Sequence, residues 1–166
     1  MGFFDKLFGG KSKDENTAKF TNQSKTVLTP LQGKVLAQDE TFAQGILGPG
    51  CGIEPTGDTV YAPFDGTVTQ IATTLHAVGI TSNDGIELLI HVGMDTVDMK
   101  GQGFTVLVKE NQKVTAGTPL LKVDLDAIRA AGHPTATAII VTDGAGDEVK
   151  MLAEGDVAPG TPLFKV

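Results

Sequence analysis

Tryptophan is absent, tyrosine and cysteine occur once each, and aromatic residues make up 5% of the 166 positions. A core with so few rings must be filled by aliphatic side chains, and the abundance of Val, Ile, Leu, Thr, Gly and Pro suits many short strands joined by tight turns. The lone Cys51 excludes an intramolecular disulfide and reads as a small apolar filler. Positive charge is also in deficit: 13 Lys and Arg stand against 20 Asp and Glu, a net charge of −7. That balance argues against nucleic acid as a partner and suits a basic protein surface. No long apolar run, secretory signal or phosphate-cradling P-loop is present, so a cytoplasmic protein is expected.

In chain order, Phe4, Leu7 and Phe8 within residues 1–10 share one face of a short helix, an amphipathic segment suited to weak membrane contact. Lys6 breaks the myristoylation pattern. The rest of the stretch up to residue 27 is polar and aperiodic and reads as a flexible linker, leaving residues 28–166 as the folded domain. Strands are expected near 33–37, 52–54, 59–61 and 66–72. Val114-Thr-Ala-Gly-Thr-Pro-Leu-Leu-Lys-Val123 and Val157-Ala-Pro-Gly-Thr-Pro-Leu-Phe-Lys-Val166 are internal repeats. Repetition of this kind implies an all-β antiparallel sandwich of duplicated type with one or two short helices. One helix is expected between the repeats, capped by Asp124, carrying Leu125, Ile128 and Arg129, and stopped by Gly132 ahead of His133 and Pro134.

The chemistry concentrates in residues 73–104, which hold two of the three histidines. Runs at 77–81 and 86–92 flank Ser82-Asn83-Asp84-Gly85, the signature of a β-hairpin with His76 and His91 at its open end. A two-residue loop sets His76 directly across from His91; a left-handed bulge at Gly85 shifts the register by one and then requires a further irregularity near His76. Both registers are open at this point. Facing imidazoles suit three roles: buried sheet residues, metal ligands, or a nucleophile for phosphorus with a hydrogen-bonding helper. Thr74 shares a strand face with His76 and can set its tautomer, and Gly93 can bring its carbonyl to His91.

Residues 42–68, FAQGILGPGCGIEPTGDTVYAPFDGTV, and 85–104, GIELLIHVGMDTVDMKGQGF, with Thr74-x-His76 upstream, resemble the glucose-type IIA component of the bacterial phosphoenolpyruvate-dependent sugar phosphotransferase system. The resemblance implies that His91 accepts a phosphoryl group from the carrier HPr and passes it to the IIB domain of a IIB/IIC sugar permease, with His76, Thr74 and Gly93 supporting it. It implies further that Phe42, Ile46, Leu47, Leu89 and Val97 form an apolar collar and that Asp39 and Asp95 meet partner arginines. No cofactor or metal is required, although His76 and His91 are candidate ligands for a zinc shared between molecules. Regulatory protein targets also occur in that family. Thr41, Ala72, Thr81 and Asp98 depart from the enteric pattern.

Two rivals stand beside this reading. His91-x-x-x-Asp95 has the spacing of LytM-type zinc peptidases, but no His-x-His follows to complete a zinc site. APFDGTV and VKENQKVTAGTPLLKV resemble strands of biotinyl or lipoyl carrier modules, with Lys100 in the place of a modified lysine, but those modules are much shorter.

Overall fold

The computed structural model describes residues 20–36, 48–146 and 148–166. Among them are fourteen strands. The first seven are β1 (Thr26–Leu28), β2 (Gly33–Leu36), β3 (Gly50–Pro55), β4 (Thr59–Tyr61), β5 (Gly66–Ile71), β6 (Ala77–Ser82) and β7 (Glu87–His91). Then come β8 (Phe104–Val106), β9 (Lys113–Val114), β10 (Pro119–Val123), β11 (Thr137–Asp143), β12 (Lys150–Met151), β13 (Asp156–Val157) and β14 (Pro162–Lys165). One α-helix, α1 (Leu125–Ala130), follows β10. Asp124 caps it by accepting from the Ala127 N–H at 3.0 Å, and Gly132 at φ 85° lies just past its end, as the sequence predicts.

Every strand pairing is antiparallel, and the order shows the duplication that the sequence repeats imply. The large sheet runs β13-β2-β3-β11-β7-β6-β5-β9, so β13, β2, β3 and β11 on one side answer β9, β5, β6 and β7 on the other. Two three-stranded sheets, β1-β14-β12 and β4-β10-β8, answer each other likewise. A local twofold axis therefore passes between β7 and β11, where Ile90 pairs with Ile139.

Local chemistry explains why each half folds alike. The repeated Gly-Thr-Pro sits in matched turns, with Gly117 at φ 92° and Gly160 at φ 91°, closed by Thr118 N–H to Thr115 O and Thr161 N–H to Ala158 O. Glycine is needed at that third turn position because φ is positive there. A second repeat, less obvious in sequence, relates Val27-Leu-Thr-Pro-Leu-Gln-Gly33 to Val60-Tyr-Ala-Pro-Phe-Asp-Gly66. These segments cross reciprocally: Leu28 N–H donates to Pro63 O at 3.0 Å and Tyr61 N–H to Pro30 O at 2.8 Å. Their inward residues, Leu31 and Phe64, are buried with Ile53, Ile80, Ile90, Leu121, Ile139 and Phe164 in one core.

The chain is held from Phe20 onward, ahead of the boundary at residue 27 read from composition. Phe20 is buried against Leu28 and Ala116, its ring centroid 5.5 Å from that of Tyr61. The Lys25 N–H donates to Asp84 Oδ2 at 2.8 Å, and the Asp65 N–H donates to Asn22 Oδ1 at 2.8 Å. Polar composition concealed this because the anchoring is one aromatic ring and a few side-chain hydrogen bonds rather than an apolar period.

Candidate functional site

The hairpin β6–β7 pairs Ala77 with His91, Val78 with Ile90, Gly79 with Leu89, Ile80 with Leu88 and Thr81 with Glu87. This is the bulged register. The Gly85 N–H closes a turn onto Ser82 O at 3.1 Å, Gly85 itself is left-handed at φ 97°, and the Ser82 hydroxyl receives the Ile86 N–H at 2.8 Å. With Ala77 opposite His91, strand alternation would send His76 to the other face.

The required irregularity lies at Leu75, a branched residue held at φ 63°. There the chain turns, with Leu75 N–H to Ala72 O at 2.8 Å and Ala72 N–H to Ala77 O at 3.0 Å, while His76 O accepts from the Val92 N–H at 2.9 Å. His76 is thereby swung back over its partner: the two ring centroids are 4.7 Å apart at an interplanar angle of 81°. Space for this comes from the flanking strands, because His91 stands between Ala77 on β6 and Ala138 on β11. Phe104 closes the far side of His76, centroid to centroid 6.4 Å.

Hydrogen bonds assign the nitrogens. His91 Nδ1 lies 2.9 Å from the Gly93 carbonyl, which can only accept, so the proton sits on Nδ1 and the lone pair on Nε2. The Thr74 hydroxyl and His76 Nδ1 are 2.8 Å apart; with the hydroxyl donating, His76 carries its proton on Nε2. Both imidazoles are shifted toward the neutral form. Burial lowers the pKa of His76, which is only 7% exposed, and the neighbouring His91 lowers it further, against Thr74, which raises it. Burial also lowers that of His91, against the opposing effects of the Gly93 carbonyl, its own backbone and the Asp95 carboxylate. A neutral ring with an outward lone pair is a nucleophile, and an edge-on N–H donor beside it can stabilise an anion.

Gly93 is demanded by geometry as well as by φ 75°: a Cβ there would stand 2.5 Å from Thr96 Cγ2 and 3.0 Å from Pro134 O. After β7 ends, a 3₁₀ turn covers Thr96–Met99, entered through Asp95 at φ 60°. The structure thus brings Thr74, His76, His91 and Gly93 together. Leu89 lies two residues back along β7 and is half-buried, whereas Asp95 and Val97 are exposed beside the site. Asp39, Phe42, Ile46 and Leu47, like the segment 1–10, lie outside the described residues. Among the described residues, no three His, Cys, Asp or Glu side chains cluster as a metal site. His133 is engaged at its backbone, donating to Ile128 O at the end of α1.

Sequence reasoning missed four contributors: Leu75 for its backbone, Ala77 and Ala138 for their smallness, and Thr96, fully buried with its hydroxyl on Val92 O. Only Thr96 carried a signal, being a β-branched polar residue next to a turn.

Comparison with known proteins follows the same lines. The family described as phosphoenolpyruvate-dependent sugar phosphotransferase system, EIIA 1, matches residues 25–146. The PTS system glucose-specific EIIA component of Halalkalibacterium halodurans is 42% identical over 144 residues, covering 84% of this chain and 83% of that protein. The PTS system glucose-specific EIICBA component of Staphylococcus carnosus is 42% identical over 144 residues, 84% of this chain and 21% of that one. The chain thus spans about a fifth of the length of such relatives. Among solved structures, glucose permease IIA from Mycoplasma capricolum superposes with a TM-score of 0.79 at 33% identity, over 87% of this chain and 97% of that one. The similarity covers most of the chain, and neither the zinc peptidase nor the biotinyl or lipoyl carrier reading is favoured by it.

Proposed function

The chain belongs to the phosphoenolpyruvate-dependent sugar phosphotransferase system EIIA 1 family, and from that premise we propose that it is a histidine phosphocarrier for sugar uptake, with His91 as its phosphoryl acceptor. The observation that carries this reading is the Nδ1 of His91 tied to the Gly93 carbonyl, which leaves Nε2 free beside His76.

In this reading His91 Nε2 attacks the phosphorus of phospho-HPr. The new N–P bond forms as the donor histidine's N–P bond breaks, and the donor imidazole leaves with the electron pair. The His76 Nε2–H, oriented by the Thr74 hydroxyl, hydrogen-bonds the phosphoryl oxygens now gathered on His91. A nucleophile of IIB then attacks the phosphorus, and the His91 N–P bond breaks with the electron pair returning to Nε2. Positioning and charge stabilisation suffice for both steps, so neither a metal nor an organic cofactor is needed. IIB and IIC domains are the proposed partners, supported by relatives named EIICBA components. Asp95 and Val97 edge the docking face with Leu89 nearby, and the family resemblance assigns Asp39, Phe42, Ile46 and Leu47, which lie outside the described residues, to the same role. The site of action is the cytoplasmic side of the membrane, with weak membrane contact through residues 1–10.

Phosphate incorporation from phosphoenolpyruvate, enzyme I and HPr tests this. Acid-labile label in the wild type, its loss in His91→Gln, and label accepted but poorly handed to IIB in His76→Gln are the expected results. An unlabelled wild type ends the carrier reading.

A further inference from the structure

The choice between the two nitrogens of His91 is made by one peptide plane. The Gly93–Met94 peptide points its C=O at His91 Nδ1, 2.9 Å away, and its N–H at Pro134 O, 3.0 Å away. The two groups belong to one rigid planar unit, so tilting the plane loosens both bonds at once. Pro134 lies four residues past the end of α1, which ties the histidine loop to the segment that leaves that helix.

The plane could still rotate about the flanking bonds, since glycine offers little resistance. Thr96 supplies that resistance from beneath. It is fully buried, and its hydroxyl donates to Val92 O at 2.5 Å, closing the turn that contains Gly93. Its Cγ2 occupies the space where a Gly93 side chain would start, 2.5 Å from that position. The hydroxyl and the methyl therefore both grip the loop at Val92 and Gly93, where the Gly93–Met94 unit begins.

We propose that Thr96 is a positioning residue for phosphoryl transfer, holding the Gly93 carbonyl where it keeps His91 in the Nδ1–H tautomer with Nε2 reactive. Thr96 touches neither substrate nor the reacting nitrogen. Its effect passes through the backbone, and the reactive part of the proposal rests on His91 being the acceptor.

Nitrogen NMR of the His91 ring in the full-length protein reads the tautomer without any phosphoryl donor. The wild type is expected to show Nδ1–H alone. Thr96→Val keeps the methyl volume and loses the hydroxyl, so it should give mixed tautomers and slow phosphoryl uptake by about tenfold to a hundredfold, with the KM for HPr unchanged. Thr96→Ser restores the hydroxyl and should return both readouts to near wild type. Thr96→Ala, smaller than either, provides the same test should the valine variant fail to fold. A pure Nδ1–H tautomer in the variants lacking the hydroxyl overturns the proposal, and so do mixed tautomers with unchanged uptake. A wild type that takes no label overturns the carrier reading and the reactive part of this one, while the tautomer spectra still decide the positioning part.

Discussion

The two halves of the large sheet share a backbone and differ in what they carry. Register across the local axis makes Ile140 the counterpart of His91 and Pro49 the counterpart of His76. The equivalence reaches the hydrogen bonds: Val141 N–H donates to Pro49 O at 2.8 Å where Val92 N–H donates to His76 O at 2.9 Å. It reaches the strained residue as well. Leu75 at φ 63° answers Gly48 at φ 116°, so a positive-φ residue precedes both His76 and Pro49. Backbone alone therefore does not make the site. In the histidine half, Ala138 stands opposite His91 and leaves room for two rings; in the other, Leu89 stands opposite Ile140. One half also leaves the sheet at Gly93, whereas β11 runs on through the corresponding Thr142.

The largest break in the comparison should come from the residues that differ. His91→Gln is expected to abolish phosphoryl uptake. Its mate Ile140→Val should leave uptake at the wild-type level and cost only about 0.5–1.5 kcal/mol in urea unfolding. Equal losses of uptake in the two variants would mean that Ile140 belongs to the chemistry.

The helper comes next. His76→Gln is expected to lower the rate of transfer to IIB by about 10²-fold or more, the range found for loss of one positioned hydrogen-bond donor to a developing anion, while label still enters His91. Quench-flow transfer from labelled protein separates the two steps.

A smaller effect should show that the positive φ is common property. Gly48→Ala would place a Cβ 2.3 Å from Val141 O at positive φ, and should destabilise by about 1–3 kcal/mol. Leu75→Gly relieves the unfavourable φ but gives up packing against the core, so stability should change by less than about 1 kcal/mol. Its damage should instead fall on the His76–His91 geometry, read from ring NMR shifts and slower transfer. A Gly48→Ala variant as stable as wild type in chemical denaturation would separate the two positions.

The gentlest test is pH. Both histidines have native pKa values below the ordinary one, so as pH falls the unfolded chain takes up protons first. Their contribution to stability is complete above about pH 6.5 and is lost as pH drops from there toward the depressed native values. Denaturation midpoints at pH 8, 6 and 5 should fall accordingly in wild type and less steeply in His76→Gln, whereas Ile140→Val should follow the wild-type slope.

Much of this was legible in the chain. The Gly-Thr-Pro repeats announced a duplicated sandwich because a positive-φ glycine with a proline two residues on allows few turn conformations. Asp124 and Gly132 bracketed α1 because caps are local. Thr74, His76, His91 and Gly93 could be named together because a hairpin brings both strand ends to one place whichever turn closes it. Cys51 reads correctly as filler: it is buried, burial pushes its thiol up to about 12, and its counterpart is Val78. The second repeat, at Val27 and Val60, was obscured because four of its seven positions differ, and Phe20 because one ring has no period.

Sequence by itself determined the strands, the turns between them and the presence of a histidine pair, all of them set by interactions over a few residues. Tertiary structure alone decided the hairpin register, the left-handed Leu75, the alanines that make room for two imidazoles, and the peptide plane joining His91 to Pro134. Each of these is a choice between backbone states that lie close in energy along an isolated chain. Contacts with β11, with the end of α1 and with the buried Thr96 make the choice, and those contacts exist only once the sheet has formed.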